Sequence, residues 1–312
     1  MVKKVFLPNG IATDGAEYLT SRGYELVNGT GRDIATMIAE GKDADAILIG
    51  TQPFTKEVMD AMPNLKIIAR NGVGYDSVDL EAASAKHIYT TITPNALSDS
   101  VAETTVTMIL SLAKNFYNDS ANMRADNWNY RKAHQGVDLK GKTIGILGYG
   151  RIGRLVISHL EGFGVHFLVY DPFAKSVETG KLVSREELFS QSDFISVHLP
   201  LLPDTKGSIS TAEFKQMKKT ARIVNLARGP IIDQPALIEA LQNGEIAGAG
   251  LDVYDQEPLP MDSPLFKLEN VELTPHIASN TVETRDRMAV DAASEIDRVL
   301  SDEKPQWPVN KF

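Results

Sequence analysis

The 312 residues contain no cysteine, so neither a disulfide framework nor thiolate chemistry is open to this chain. Positive charge is also short. With 32 Lys and Arg against 41 Asp and Glu the formal net charge is −9, which argues against nucleic acid or an anionic membrane as a main partner. No apolar run approaches the roughly 18 residues needed to span a bilayer. The N-terminal stretch is interrupted by Pro8-Asn9-Gly10 before a signal-peptide core could form. Internal repeats and low-complexity tracts are missing, and no metal is expected. What remains is a soluble, cytoplasmic protein long enough for two domains of ordinary size.

What is present centres on residues 142–171. Thr143-Ile144-Gly145-Ile146-Leu147 reads as a short apolar strand, followed at once by Gly148-Tyr149-Gly150-Arg151-Ile152-Gly153. Residues 154–160 carry the spacing of a helix packed on one face, and a second strand over 165–170 ends at Asp171. Strand, G-x-G-x-x-G, helix, strand and acid, in that order, form a dinucleotide-binding fingerprint. Gly148 makes the tight turn, Gly150 lets the backbone approach a pyrophosphate, and Gly153 lets the helix press against its strand. The helix N-terminus then turns its amides toward the phosphates. Asp171 would accept from the ribose hydroxyls and repel a 2′-phosphate. The residues after it are Pro172, Phe173 and Ala174, with only Lys175 basic. NAD is therefore the expected cofactor.

Before this stretch, strands expected over 4–7, 24–27, 46–49, 66–70 and 88–91 alternate with helical patterns over 16–21, 33–40, 55–61 and 77–86. That alternation implies a parallel sheet covered by helices. Leu7-Pro8-Asn9-Gly10 cannot present a run of phosphate-binding amides, so this half reads as a second, cofactor-free domain. Its glycine-rich loop, Arg70-Asn71-Gly72-Val73-Gly74-Tyr75-Asp76, follows the fourth strand. It is either a carboxylate cradle or a tight turn that needs glycine for backbone reasons alone. Thr93-Pro94-Asn95 reads as an interruption and hinge, with Ser98 as N-cap of a long helix over 101–115. Residues 116–140, with Phe116, Tyr117, Trp128, Tyr130 and Arg131-Lys132, read as an arm or a solvated loop. Further strands are expected over 194–197, 222–226, 247–251 and 271–274, and helices over 185–190, 211–217 and 235–243. A last helix over 282–300 crosses back to the first domain.

Three segments at strand ends carry the chemistry. In Asn225-Leu226-Ala227-Arg228-Gly229 an arginine straight after a strand can offer its planar fork to a carboxylate. Leu251-Asp252-Val253-Tyr254-Asp255-Gln256-Glu257-Pro258 supplies carboxylates. Leu273-Thr274-Pro275-His276-Ile277-Ala278-Ser279 supplies a histidine, which beside a carboxylate suits proton transfer near neutrality. His87, His134, His159 and His166 suggest surface or packing roles, and His198, at a strand end, reads as structural.

Gly148-x-Gly150-x-x-Gly153, Asp171, Asn225-Leu226-Ala227-Arg228-Gly229, Asp252-Val253, Glu257-Pro258 and Pro275-His276 together resemble the D-2-hydroxyacid dehydrogenase family. The likeness runs from Arg70 to Pro308-Val309-Asn310. Trp128-Asn129-Tyr130-Arg131-Lys132 and His198-Leu199-Pro200-Leu201-Leu202-Pro203 point to its phosphoglycerate dehydrogenase and hydroxypyruvate reductase branch, in a short form without a regulatory domain. The resemblance implies two doubly wound, Rossmann-like α/β domains. A discontinuous substrate domain (1–98 and 284–312) would enclose a cofactor domain (99–283). It implies that Arg228 binds the 2-oxo acid and that His276, held by Glu257, moves the proton as hydride is transferred. Asn71, Gly72, Val73 and Gly74 would hold the substrate carboxylate. The cofactor would be lined by Gly148, Gly150, Arg151, Ile152, Gly153, Asp171, Leu199, Pro200, Thr205, Leu226, Ala227, Arg228, Asp252, His276 and Ala278. Many relatives have glycine where this chain has Ala278.

The reading that follows is an NAD-dependent 2-oxoacid reductase, expected as a homodimer through the 101–115 helix and the arm after it. Phosphoglycerate dehydrogenase is the alternative. That group commonly carries an arginine-serine pair after the third strand, where this chain has Gly50-Thr51-Gln52-Pro53; Arg70 and Arg131 remain as cations. A corepressor-like NAD(H)-sensing protein is a third reading, disfavoured because no long disordered tail or exposed basic stretch is present. Formate dehydrogenase is disfavoured because its longer N-terminal extension is missing.

Overall fold

The computed structural model describes residues 2–8 and 10–312. Met1 and Asn9 lie outside the described residues, and with Asn9 the centre of the expected Leu7-to-Gly10 turn. The chain divides into two compact units, Met1–Leu97 with Ser279–Phe312, and Ser98–Ala278. The second crossing falls after Ala278, the last residue whose amide Asp252 holds in the loop that follows the last strand.

The first unit runs β1 (Lys4–Leu7), α1 (Thr13–Ser21), β2 (Glu25–Asn28), α2 (Ile34–Gly41), β3 (Ala46–Ile49), α3 (Lys56–Asp60), β4 (Ile67–Arg70), α4 (Leu80–Ala85) and β5 (Tyr89–Thr91), and closes with α11 (Val282–Leu300). Its five strands are all parallel, in the order β2-β1-β3-β4-β5. Side chains alternate across a strand, so β3 is apolar on both sides. Ala46 and Leu48 pack toward Ala292, Ala293 and Ile296 of α11, while Ile47 and Ile49 join Phe6, Phe54 and Met59 on the other face. Small residues bring α1 and α11 close: a Cβ on Gly15 would lie 2.8 Å from that of Ala289. Asp33, Asp79 and Thr281 cap α2, α4 and α11 by accepting from the amides of Thr36, Ala82 and Thr284.

Helix α5 (Pro94–Lys114) begins seven residues before the expected start. Proline's fixed φ suits the first helical position, where no amide partner is needed, so Pro94, read as an interruption of the preceding pattern, opens the helix. Ser98 lies inside that helix rather than capping it. The expected arm is largely helical: α6 (Phe116–Arg124) follows after Asn115 adopts φ +54, and a 3-10 turn covers Trp128–Lys132.

The second unit continues with β6 (Thr143–Leu147), α7 (Arg151–Leu160), β7 (His166–Tyr170), β8 (Lys181–Leu182), α8 (Arg185–Gln191), β9 (Phe194–Val197), α9 (Thr211–Gln216), β10 (Arg222–Asn225), α10 (Gln234–Gln242), β11 (Gly248–Leu251) and β12 (Val271–Leu273). These seven strands are parallel in the order β12-β11-β10-β9-β6-β7-β8. The chain winds outward from β6 through β7 to β8, then returns to β9 and winds the other way. The reversal falls between β6 and β9, and ligands of open α/β sheets bind outside the strand ends at such a point. Helix α7 buries Gly153, Val156, Ile157 and Leu160, the i, i+3, i+4, i+7 stripe that seats it on the sheet.

Candidate functional site

The glycine loop between β6 and α7 sits at that reversal, and its three glycines meet three different demands. Gly148 has φ +104, and a Cβ there would come within 2.7 Å of the His198 carbonyl oxygen. A Cβ on Gly153 would lie 2.3 Å from the Gly148 oxygen, so α7 could not approach its own turn. A Cβ on Gly150 would meet nothing within 4 Å. Its bareness therefore serves open space in front of the helix N-terminus rather than packing. At the end of β7, Asp171 accepts from the amides of Tyr149 and Phe173, each at 2.8 Å, which fixes its carboxylate beside the loop. A bare backbone face at a helix N-terminus with a fixed carboxylate alongside fits a dinucleotide.

The ends of β10, β11 and β12 bring the three chemical segments onto one edge of the same unit. After β10, Asn225 is buried and holds its loop from within: its side chain donates to the Arg228 carbonyl at 2.9 Å and accepts from the Ala227 amide at 3.0 Å. Arg228 donates through Nη1 to the Ala227 carbonyl at 2.7 Å. Gly229 must be glycine because a Cβ would lie 2.0 Å from the carbonyl carbon and oxygen of Tyr254. That contact locks the β10 loop to the β11 loop. Tyr254 then donates its hydroxyl to the carbonyls of Leu251 and Thr274, at 3.0 and 2.8 Å, and its amide to Glu257 Oε1 at 3.1 Å.

Glu257 Oε2 and His276 Nδ1 lie 2.7 Å apart. Their pKa values move in opposite directions. For His276, the hydrogen bond to Glu257 raises the pKa, opposed by burial and by the Arg228 charge, and the net shift is upward. For Glu257, burial pushes upward but the hydrogen bond and charge of His276 outweigh it, so the pKa is lowered. An ion pair is the favoured state. His276 has φ +53, a left-handed conformation uncommon outside glycine. Asp252 holds it there: fully buried, its backbone oxygen accepts from the His276 amide at 2.9 Å. Its carboxylate accepts from the Thr274 hydroxyl at 2.6 Å and the amides of Ile277 and Ala278 at 2.8 and 2.9 Å. Three of a carboxylate's roughly four acceptor positions are thus taken by its own chain. The buried Ala278 passes the restraint on, its carbonyl accepting from Ser100 and Thr104 of α5.

A family model described as D-isomer specific 2-hydroxyacid dehydrogenase, NAD binding domain, matches residues 106–278. The chain belongs to the D-isomer specific 2-hydroxyacid dehydrogenases. It is an oxidoreductase acting on CH–OH groups with a nicotinamide dinucleotide. The glyoxylate reductase of Thermofilum pendens is 43% identical over 279 residues, spanning 86% of this chain and 82% of that enzyme. The D-3-phosphoglycerate dehydrogenase of Methanocaldococcus jannaschii is 38% identical over 314 residues, spanning 98% of this chain and 59% of that longer one. The crystal structure of the TT0316 protein from Thermus thermophilus aligns with a TM-score of 0.92 at 35% identity, over 98% of this chain and 99% of that one. Both sheets and their parallel order agree with that relationship.

Two further residues singled out in the sequence follow β9. The Thr205 hydroxyl closes its own turn, donating to the Pro200 carbonyl at 2.6 Å and accepting from the Leu202 amide at 2.8 Å. His198 shares a 2.8 Å hydrogen bond with Ser196, and burial pulls its pKa down to about 4, so it is neutral near pH 7. Asn225, Tyr254 and Thr274 do not stand out in the sequence, although each lies inside a segment that does. In the first unit, Arg70 is buried with Nε donating to the Gly74 carbonyl at 2.6 Å and Nη1 to that of Ile49 at 3.2 Å. Its guanidinium is a strut inside the 71–74 loop. Gly72 takes φ +154 and its carbonyl accepts from the Thr93 amide.

Proposed function

We propose that this enzyme is an NAD(H)-dependent reductase of small, unphosphorylated 2-oxo acids in which His276 is the proton donor. The observation that carries this reading is the 2.7 Å pair of Glu257 and His276 on the same strand edge as Arg228. With Nδ1 committed to Glu257, Nε2 is the nitrogen that gives a proton to the substrate's carbonyl oxygen and takes it back in the reverse direction. Arg228 offers paired N–H donors to the carboxylate and carbonyl, aligning the carbonyl and stabilising charge as it builds on oxygen. Bound NADH supplies the hydride to the carbonyl carbon. Asp252 acts by holding the His276 loop, and the second unit is the cofactor domain.

The fixed charge of Asp171, with no arginine at 172–174, supports NAD over NADP. Against a phosphorylated substrate stand the uncharged Gly50-Thr51-Gln52-Pro53 loop and the engagement of Arg70 by its own loop. A phosphate short of cationic partners forgoes charge-assisted hydrogen bonds worth roughly 1.5–3 kcal/mol each. We assign a homodimer as the working form, in which α6 and the Trp128–Lys132 turn meet a second copy. The test is initial-rate reduction of glyoxylate, pyruvate, hydroxypyruvate and 3-phosphohydroxypyruvate with NADH and with NADPH at equal ionic strength. NADH and the unphosphorylated acids should win. A tenfold preference for the phosphorylated acid would instead make this a phosphoglycerate dehydrogenase, and no turnover at all would return it to a sensing role.

A further inference from the structure

Three carboxylates are buried among the described residues, and their company differs. Asp252 accepts from one hydroxyl and two amides. Glu295 accepts from the amides of Gln306 and Trp307, with the Arg298 guanidinium 3.7 Å away. Glu272, in the middle of the edge strand β12, has the Ser111 hydroxyl of α5 at 2.8 Å. Its setting is tight and apolar. Strand register places Glu272 beside Gly250 of β11, on the face that meets α5. A Cβ on Gly250 would lie 2.5 Å from the Met108 sulfur and 3.1 Å from Leu112 Cδ1, so α5 rests directly on the sheet there.

Met108, Ser111 and Leu112 on α5 and Gly250 on β11 bring no titratable group to Glu272. The charged residues of the surrounding elements are Glu103 and Lys114 on α5, both exposed, Asp119 on α6, and Lys267 and Glu269 ahead of β12. None of them moves its pKa: burial raises it, the Ser111 hydrogen bond lowers it, and the balance pushes it up to about 7. One hydroxyl is thin support for a buried charge. A carboxylate can accept at roughly four positions, and burying it with most of them empty costs more than burying the neutral acid. The acid needs less, because it can donate to Ser111 Oγ across the same contact. Toward its N-terminus α5 also holds the His276 loop, where Ser100 and Thr104 donate to the Ala278 carbonyl at 3.1 and 3.0 Å. Beyond its C-terminus, Asn118 of α6 donates to the Glu269 carbonyl, just before β12, at 2.7 Å.

We propose that Glu272 is a proton-operated latch: protonated, it fastens α5 to the edge of the seven-stranded sheet, and charged, it loosens the helix and with it the hold on the His276 loop. The latch lies within the second unit and does not rest on which acid the enzyme reduces.

Glutamate ordinarily titrates at 4.5, so the stability supplied by this group is complete below that pH, is lost as pH rises to about 7, and changes no further above it. Glu272→Gln keeps the shape and the partner of the side chain without its charge. The melting temperature of the variant minus that of the wild type should therefore rise by about 5 °C or more between about pH 5 and about pH 8, and level off above neutrality. Hydrogen exchange of the wild type, corrected for the intrinsic effect of pH, should show residues 98–124 and 274–278 opening more readily on the alkaline side of the same midpoint. Ser111→Ala should move that midpoint upward, since the charged form loses its donor. Wild type and Glu272→Gln melting in parallel across this range would overturn the proposal, as would exchange of these segments that ignores pH. A midpoint left in place by Ser111→Ala assigns the titration to another group and also defeats it. If Glu272→Gln does not fold, the wild-type midpoint and its shift in Ser111→Ala decide the matter.

Discussion

His276 carries two marks of a residue held for chemistry, a left-handed backbone at φ +53 and a ring nitrogen 2.7 Å from a carboxylate. Glu257 raises the pKa of the imidazole above its ordinary value near 6.5. In the proposed mechanism reduction uses protonated His276, so kcat/KM for the 2-oxo acid should be level at low pH and fall as pH rises through that elevated pKa. Oxidation, which in that mechanism uses the neutral ring, should fall as pH drops through it. In Glu257→Gln the imidazolium loses its anionic support, and both profiles should move to lower pH. Profiles that stay where they are in this variant would refute the pairing. Arg228 makes a second residue-scale prediction. Its replacement by alanine should cost roughly 2–4 kcal/mol of transition-state binding, a fall of about 30- to 900-fold in kcat/KM. NADH affinity, read by fluorescence titration, should hardly change. Arg228→Lys should recover little because lysine lacks the fork. An alanine variant with near-normal kcat/KM would place the substrate anchor elsewhere.

Elements differ in how openly the sequence declares them. Strands β3 and β6 are readable because Ala46-Ile47-Leu48-Ile49 and Thr143-Ile144-Gly145-Ile146-Leu147 are short apolar runs bounded by turn residues. The two-residue β8 is not, since Lys181-Leu182 becomes a strand only by lying beside β7. Pro94 misleads because proline both ends and begins helices, and only the φ of its neighbours tells which. The candidate site divides the same way. Glycine spacing announces the 148–153 loop, whereas the Tyr254 hydroxyl reaches the Thr274 carbonyl and the Thr274 hydroxyl reaches the Asp252 carboxylate, each in another segment, and no local pattern encodes those distances. Two glycines separate packing from ligand approach by experiment. Gly229→Ala forces a methyl to 2.0 Å from the Tyr254 backbone, an overpacking cost on the order of 1–3 kcal/mol, and should lower Tm by about 2–10 °C. Gly150→Ala meets no atom within 4 Å and should leave Tm unchanged while weakening NADH binding. Equal melting losses in the two variants would mean that Gly150 serves packing after all.

At the scale of the molecule, the segment after α5 has no core of its own. Neither α6 nor the Trp128–Lys132 turn buries a single residue, yet between them they present Phe116, Tyr117, Met123 and Trp128, with Phe116 69% and Trp128 61% exposed. Isolated helices shorter than about 12–15 residues are marginal in water, and α6 has nine. Its polar sequence offers little propensity to compensate. Large exposed apolar side chains gathered on one such segment mark an interaction surface, and aromatic residues with methionine are the types enriched where proteins meet. A second copy of this chain is the simplest occupant, because like-for-like contact across a two-fold axis needs no other gene product. Light scattering after gel filtration should therefore give about 68 kDa, twice the 34.1 kDa of one chain. Phe116→Asp combined with Trp128→Asp puts a carboxylate at each of two apolar contacts and should shift the mass to one chain without unfolding either sheet, since neither residue touches a core. A wild type that elutes as a single chain at micromolar concentration would leave these aromatics for some other partner, and a dimer that survives both substitutions would put the contact on a different face.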